Sequence, residues 1–338
     1  MSFVIVIAII VGLSIVLAVH EFGHFLMAKI FGIEVEEFGL GFPPRLIGKK
    51  FKGTIYSLNA IPFGAMVKIS PGSPEDKDSF NGKPLRIRIL VMLGGIFFNL
   101  VLGWLIISSI FMVGSPAGGI FITDVSVNSP AALTGLRIND KILGFSEIKD
   151  FQKFTSAHGG EKINLEIQRG KEKLNFEVIP RTSPPEGEGP LGIALAKAEP
   201  IKKQGFFLSL FSGLKTTGTI FCQIFAFIFY LIKSAFLGKN VLSYLSGPVG
   251  AVKIGSQFAY LGFAFVLRIF ALISINLAAF NIFPFPALDG GRLWFFLIEK
   301  IKKSPVSQKT QNIVDSLGFS LLMVLSIIIL IKDITTLF

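Results

Sequence analysis

Four stretches of this chain, residues 3–31, 89–113, 258–283 and 313–331, are longer and more apolar than the core of a water-soluble protein requires. A helix of about 20 apolar residues matches the ~30 Å hydrocarbon thickness of a bilayer. Hydrophobic residues make up 51% of the 338 and charged residues only 16%, where a soluble domain carries about 25% charge. The composition therefore assigns these runs to lipid and excludes an ordinary soluble enzyme. The expected architecture is an α-helical polytopic membrane protein with four transmembrane helices. The first run lacks a basic leader and a small-residue cleavage site, so it reads as a retained span and not as a signal peptide.

Charge sets the orientation. Lys and Arg total 33 against 22 Asp and Glu, and the basic residues gather beside the apolar runs. One cluster is Arg45, Lys49, Lys50, Lys52, Lys68, Lys77, Lys83, Arg86 and Arg88, and the other is Arg292, Lys300, Lys302, Lys303 and Lys309. Such loops face the cytoplasm and anionic lipid, so the excess charge points to a bilayer and not to nucleic acid. Residues 206–237 differ from the other apolar runs. Ser209, Ser212, Thr216, Thr219 and Gln223 recur three or four apart, and Lys215 and Lys233 stand at intervals along the run. That pattern predicts an amphipathic helix lying in the interface. Cys222 is the one cysteine, which excludes an intramolecular disulfide, a thiolate zinc cage and an iron–sulfur cluster. A bound metal must use His and carboxylate.

Between residues 114 and 200 the composition turns soluble, with short strands such as 120–122 and 164–168 and a turn at Arg169-Gly170. Ser129-Pro130-Ala131-Ala132, followed by residues 135–143, resembles the helix-turn-strand core of a PDZ domain. The expected organisation is residues 1–113 with the first two spans, 114–200 as an inserted α+β PDZ-like domain, 201–257 as amphipathic helix and linker, and 258–338 with the last two spans.

The first span closes on His20-Glu21-Phe22-Gly23-His24. Positions i and i+4 of a helix share a face, so both imidazoles can point at one ion while Glu21 reaches a water beside it. The rival reading is a hydrogen-bonded histidine pair in a bundle core. His158 reads as a loop residue of the soluble domain. Two His leave a catalytic zinc one protein ligand short, and with no further suitable His or Cys the third must be a carboxylate. The outstanding candidate is Asp289, near the end of the segment that runs from Asn281 through Pro284 and Pro286 to Gly291. The prolines break the helix there, and irregular backbone at membrane depth is tolerated where it lines a cavity. Read alone, Asp289 is equally a cap for a helix starting near Gly290. The two motifs meet only if their spans run the same way, which requires an odd number of crossings between them. The second span supplies that crossing, and 206–237 then does not cross.

These features together resemble the site-2 proteases, and within them the bacterial regulator of sigma-E protease group of intramembrane zinc metalloproteases. The resemblance rests on the His20–His24 and Asn281–Gly291 motifs, the interposed PDZ-like domain, and Ser246-Gly247-Pro248-Val249-Gly250 before the third span. It implies one Zn2+ per chain held by His20, His24 and Asp289, with Glu21 as general base. It also implies substrate contacts from Asn276 and Asn281, an unwound substrate held near Pro284 and Pro286, and a membrane-associated β-hairpin over residues 54–68. In that hairpin Ile61, Pro62, Phe63 and Gly64 are the expected substrate-binding positions. Ala65 and Met66 stand where the familiar form has Gly and Tyr, and one PDZ-like domain stands where enterobacterial relatives carry two. The implied activity is hydrolysis of a peptide bond within the transmembrane segment of single-span proteins, such as an anti-sigma factor or a remnant signal peptide. The implied location is the bacterial cytoplasmic membrane, with the active site near its cytoplasmic face and the PDZ-like domain outside. That domain would admit trimmed substrates or bind peptide C-termini, with backbone amides near Gly118 and Gly119 as a candidate cradle. The alternative is a non-catalytic adaptor with a remnant metal site, against which the intact Glu21 argues.

Overall fold

The computed structural model describes residues 3–73, 75–114, 118–185, 187–245, 247 and 263–335. Residues 246 and 248–250 of the Ser-Gly-Pro-Val-Gly segment, and 258–262 at the head of the third apolar run, lie outside them. The chain begins with α1 (Phe3–Ile30), β1 (Val35–Phe51), β2 (Thr54–Ile69) and α2 (Leu85–Val113). It continues through β3 (Gly119–Val125), α3 (Pro130–Thr134), β4 (Lys141–Ile142), α4 (Ile148–Ala157), β5 (Ile163–Arg169), β6 (Glu172–Val178) and β7 (Ile193–Ala198). It ends with α5 (Phe206–Phe236), α6 (Phe263–Ile282), α7 (Asp289–Lys302) and α8 (Gln308–Thr335). Two compact units result, one from residues 1–108, 210–252 and 268–338, the other from 109–209 and 253–267.

Among the described residues, 5 helices are long and apolar enough to cross a membrane: α1, α2, α5, α6 and α8. Four of them coincide with the apolar runs, and the fifth is α5, one continuous helix of 31 residues. Phe207, Phe211, Leu321 and Ile331 stay exposed along α5 and α8, an apolar surface suited to lipid and not to water. The chain is a polytopic membrane protein. The small polar residues of α5 divide between protein and exterior. Ser209 and Thr217 are buried, whereas Thr219 and Gln223 are exposed. Gly213 lies so close to α2 that a Cβ on it would stand 2.1 Å from Ser108 Oγ. Trp104 of α2 donates its indole N–H to the Leu210 carbonyl at 2.8 Å.

The hairpin is longer than residues 54–68 and doubles back on itself. Residues 37–40 pair on one side with 55–58 and on the other with 65–68, while 45–51 pair with 54–59. Four segments thus lie side by side in the order 45–51, 54–59, 37–40, 65–69, and 65–69 forms an edge that pairs with no further strand among the described residues. Glu37 anchors the fold-back, accepting from Arg45 Nε at 3.0 Å and from Ser57 Oγ at 2.6 Å. The Arg45 guanidinium, helped by the Ser57 hydroxyl, holds its carboxyl below the usual glutamate range. Beneath the sheet, Ala28, Ile33, Val35, Val91, Met92 and Phe296 form a core joining α1, β1, α2 and α7. Each large member contributes about 1.5–3 kcal/mol by leaving solvent. Next to it Arg88 of α2 pairs with Glu299 of α7, and the guanidinium sits 5.1 Å from the Phe296 ring centroid.

The second unit holds a 5-stranded antiparallel sheet in the order β6-β5-β4-β3-β7. Alternation along β5 sends Ile163, Leu165 and Ile167 into a core with Ile120, Ile122, Phe151 and Leu191. Helix α3 starts on Ser129, whose Oγ accepts from the Ala132 amide at 3.1 Å, with Pro130 in its first turn. Asp140, 1% exposed at its side chain, accepts Arg169 in a fork of two 2.7 Å hydrogen bonds and the Arg137 amide at 2.8 Å. A groove of about 260 Å³ runs between α4 and the edge strand β7, lined by Phe151, Thr155, Leu191 and Ile193 and closed by Gly187 and Gly189. Gly118 and Gly119, the expected cradle, do not line it. They border a different cavity, with Lys141 and Lys197, because β3 and β7 are antiparallel and Gly119 pairs with Ala198 at the far end of β7.

Candidate metal centre

His20 and His24 lie one turn apart on the inner face of α1, both buried, with ring centroids 4.8 Å apart and planes at 87°. Their Nε2 atoms are 3.2 Å apart, and each lies 3.1 Å from Asp289 Oδ2. Three donor atoms thus form a nearly equilateral triangle. Tetrahedral ligands at about 2.0–2.1 Å from zinc are about 3.3 Å from one another, so the triangle fits one such ion with a fourth position left open.

Asp289 reaches this point because the chain packs unusually tightly around it. It is the first residue of α7, after Ala287 with φ 70°, a left-handed conformation that costs a non-glycine residue about 1–2 kcal/mol. A Cβ on Gly290 would stand 2.0 Å from the Phe283 carbonyl oxygen, so only glycine lets the helix start against the proline-broken segment. The carboxylate oxygen faces the two imidazole Nε2 atoms and not the helix amides.

Helix α2 supplies the seat for both imidazoles. Gly94 and Gly23 bring α1 and α2 into backbone contact, a Cβ on Gly23 meeting the Gly94 carbonyl oxygen at 2.4 Å. Three positions four apart then face the histidines. The Val91 carbonyl lies 2.8 Å from His24 Nδ1, so Nδ1 carries the proton and Nε2 keeps its lone pair for an ion. Gly95 leaves the room the rings occupy, and the buried Asn99 places an amide nitrogen 3.3 Å from His20 Nδ1.

A cavity of about 350 Å³ opens beside the triangle, lined by Glu21, His24, Val67, Lys68, Ile69, Met92, Ala287, Leu288, Asp289 and Arg292. The Glu21 carboxylate faces the backbone amide of Val67. The free edge 65–69 of the hairpin therefore borders the cavity that holds Glu21 and two members of the triangle. Of the residues expected from the sequence, His20, His24, Asp289 and Glu21 come together. Asn276, Asn281, Pro284, Pro286, Ile61, Pro62, Phe63 and Gly64 do not line the cavity. Asn281 is buried, whereas Ile61, Pro62, Phe63 and Pro284 are exposed. The strand at the cavity lies a few residues further along β2, at Val67, Lys68 and Ile69. Sequence reading missed the contributions of α2, for which a lone amide after a Gly-Gly pair inside an apolar run was the available signal.

Known proteins are similar to this chain along nearly its whole length. The model of peptidase family M50 matches residues 8–325. A Clostridium perfringens protein named "Putative zinc metalloprotease" is 36% identical over 329 residues, covering 95% of this chain and 96% of the relative. A Nostoc protein of the same designation is 32% identical over 355 residues, covering 98% and 96%. The zinc metalloprotease RasP of Shouchella clausii is 26% identical over 415 residues, covering 96% and 97%. With the match running through nearly the whole chain, this membrane protein belongs to peptidase family M50, the site-2 proteases, and is a zinc metalloprotease.

Proposed function

We propose that this chain hydrolyses a peptide bond within the transmembrane segment of single-span membrane proteins, with His20, His24 and Asp289 as the zinc ligands and Glu21 as general base. The observation that carries this reading is the convergence of the three donor atoms within 3.1–3.2 Å of one another, beside a cavity lined by Glu21. Bound there, zinc supplies Lewis acidity toward water and toward the scissile carbonyl. Glu21 takes the proton of the attacking water and delivers it to the leaving amide nitrogen. The 65–69 edge offers backbone donors and acceptors to an extended substrate, replacing the helix hydrogen bonds that lipid cannot. Asn276, Asn281, Pro284 and Pro286, with Ile61, Pro62, Phe63 and Gly64, hold the unwound segment on its way in.

The same reading takes the chain as four-crossing in a bacterial cytoplasmic membrane, with both basic loops inside. The inserted unit is then a PDZ-like domain on the outer side, screening for trimmed substrates such as an anti-sigma factor or a remnant signal peptide. Its α4–β7 groove, bounded by an unpaired strand edge, suits an extended peptide C-terminus.

The test compares wild type with Glu21→Gln on a single-span substrate whose outer domain is already short, with bound zinc assayed in both. The expected result is cleavage lost and zinc retained. Cleavage surviving in Glu21→Gln would remove Glu21 from the role. A zinc-loaded wild type that cleaves no member of a panel of trimmed single-span substrates would favour the adaptor.

A further inference from the structure

We propose that Asn99 of α2 is a positioning residue for the metal centre: its side-chain oxygen accepts the Nδ1 proton of His20 and holds that imidazole in the tautomer whose Nε2 is free to ligate. The inference rests on the zinc centre proposed above. Asn99 is fully buried, 79 residues from His20 in sequence, and its amide lies 3.3 Å from His20 Nδ1. Its backbone carbonyl is already engaged, accepting from Ser274 Oγ of α6 at 2.8 Å. Its side-chain Oδ1 has no hydrogen-bond partner among the described residues, although leaving a buried polar atom without a partner is costly.

The two observations resolve each other. His20 Nε2 points at Asp289 Oδ2 at 3.1 Å, as does His24 Nε2. A ligating Nε2 must be unprotonated, which leaves the proton of a neutral imidazole on Nδ1. An N–H there would meet the Asn99 NH2 group, donor against donor. Nitrogen and oxygen of an amide side chain differ by a half-turn about its last torsion. That half-turn puts Oδ1 toward His20 and gives the orphaned oxygen a donor. The result matches the other imidazole, whose Nδ1 is engaged by the Val91 carbonyl at 2.8 Å. One face of α2 then fixes both tautomers, through a backbone acceptor at Val91 and a side-chain acceptor two turns later at Asn99.

The role asks only for an acceptor, and that separates it from packing. Zinc affinity of the full-length chain in detergent is read by chelator competition for wild type, Asn99→Leu and Asn99→Asp, with thermal midpoints of the metal-free proteins as a check on the fold. Asn99→Leu, close in volume but without an acceptor, is expected to bind zinc about 10–100-fold more weakly, the usual effect of losing a partner of a metal-bound histidine. Asn99→Asp, an acceptor without the NH2, is expected to stay within a few-fold of wild type. A merely structural role predicts the reverse order, since Leu suits an apolar helix contact and a buried carboxylate does not. Zinc bound by Asn99→Leu as by wild type would overturn the inference, as would zinc lost from a folded Asn99→Asp. Should Asn99→Leu fail to fold, the Asn99→Asp result decides alone. A wild type that holds no zinc would remove the metal centre itself and this inference with it, whereas a loaded wild type matched by Asn99→Leu would remove the inference only.

Discussion

Gly95 lies directly against His24: a Cβ built on it would stand 2.5 Å from the imidazole Nε2, and 2.7 Å from His20 Cε1. No packed interior sustains such distances, so a methyl group there must push an imidazole out of the triangle. Gly95→Ala is expected to weaken zinc binding about tenfold or more, in the range seen when the surroundings of a ligand are disturbed. Gly218→Ala, in α5 with open space around it, is expected to change nothing. Zinc retained per chain after dialysis against a chelator checks both.

Asp140 and Arg169 form a forked ion pair in the inserted unit, with Asp140 1% and Arg169 29% exposed at the side chain. Removing Asp140 leaves the partly solvated Arg169 guanidinium and the Arg137 amide without that acceptor, at a cost of about 1–3 kcal/mol. Asp140→Ala is therefore expected to open residues 118–200 to trypsin while the apolar helices stay protected. Lys162 and Glu177 also pair, but with side chains 61% and 66% exposed. Lys162→Met should cost no more than about 1 kcal/mol and leave the digestion pattern unchanged.

Arg88 and Glu299 tie α2 to α7, the helix that begins with Asp289. Both side chains are largely buried, at 10% and 19% exposure. Glu299→Gln is expected to lower the thermal midpoint in detergent, corresponding to about 3 kcal/mol. Replacing both, as Arg88→Met with Glu299→Leu, should recover much of the loss, since no charge is then left unpaired. A double variant no better than Glu299→Gln would contradict this account of the pair.

The hairpin carries a pH dependence that can be worked out from Glu37. Its folded carboxyl titrates below the ordinary value of 4.5 because Arg45 and Ser57 hydrogen-bond the charged form. Stability from this contact is therefore present in full above about pH 4.5 and fades as pH falls below it through the folded pKa. Hydrogen exchange of residues 35–69, corrected for its intrinsic pH dependence, should be flat from neutrality to about pH 5 and rise below that. Glu37→Gln should exchange faster at neutral pH and lose the acid-dependent rise.

The parts of this molecule legible in its sequence were those carried by side-chain type at fixed spacing. His20 and His24 share a helix face by arithmetic alone, and Asp289 stood out as a carboxylate after a proline-broken span. The alternation of Leu165 and Ile167 within 164–168 gave away a half-buried strand. Helix α2 was not legible in the same way. Val91 acts through its backbone carbonyl, which any residue carries, and Gly95 acts by lacking a side chain. The fold-back of the hairpin was hidden too, because residues 37–40 take partners on both sides and alternation does not reveal which segments pair. In α5, helical spacing located a face of small polar residues without saying what it meets. Ser209 and Thr217 turn inward, where small side chains allow close helix contact, while Gln223 turns outward.

The seat on α2 also limits how the enzyme can open. Val91, Gly95 and Asn99 meet the histidines at one register, and sliding α1 along α2 by a single 5.4 Å turn would set each imidazole against the wrong position. On the function proposed above, these two helices act as a keel that a substrate helix cannot wedge apart without unloading the ion. The same proposal requires the substrate to enter past the other walls, so a crosslink pinning α1 to α2 should leave turnover intact where one pinning the 65–69 edge would not.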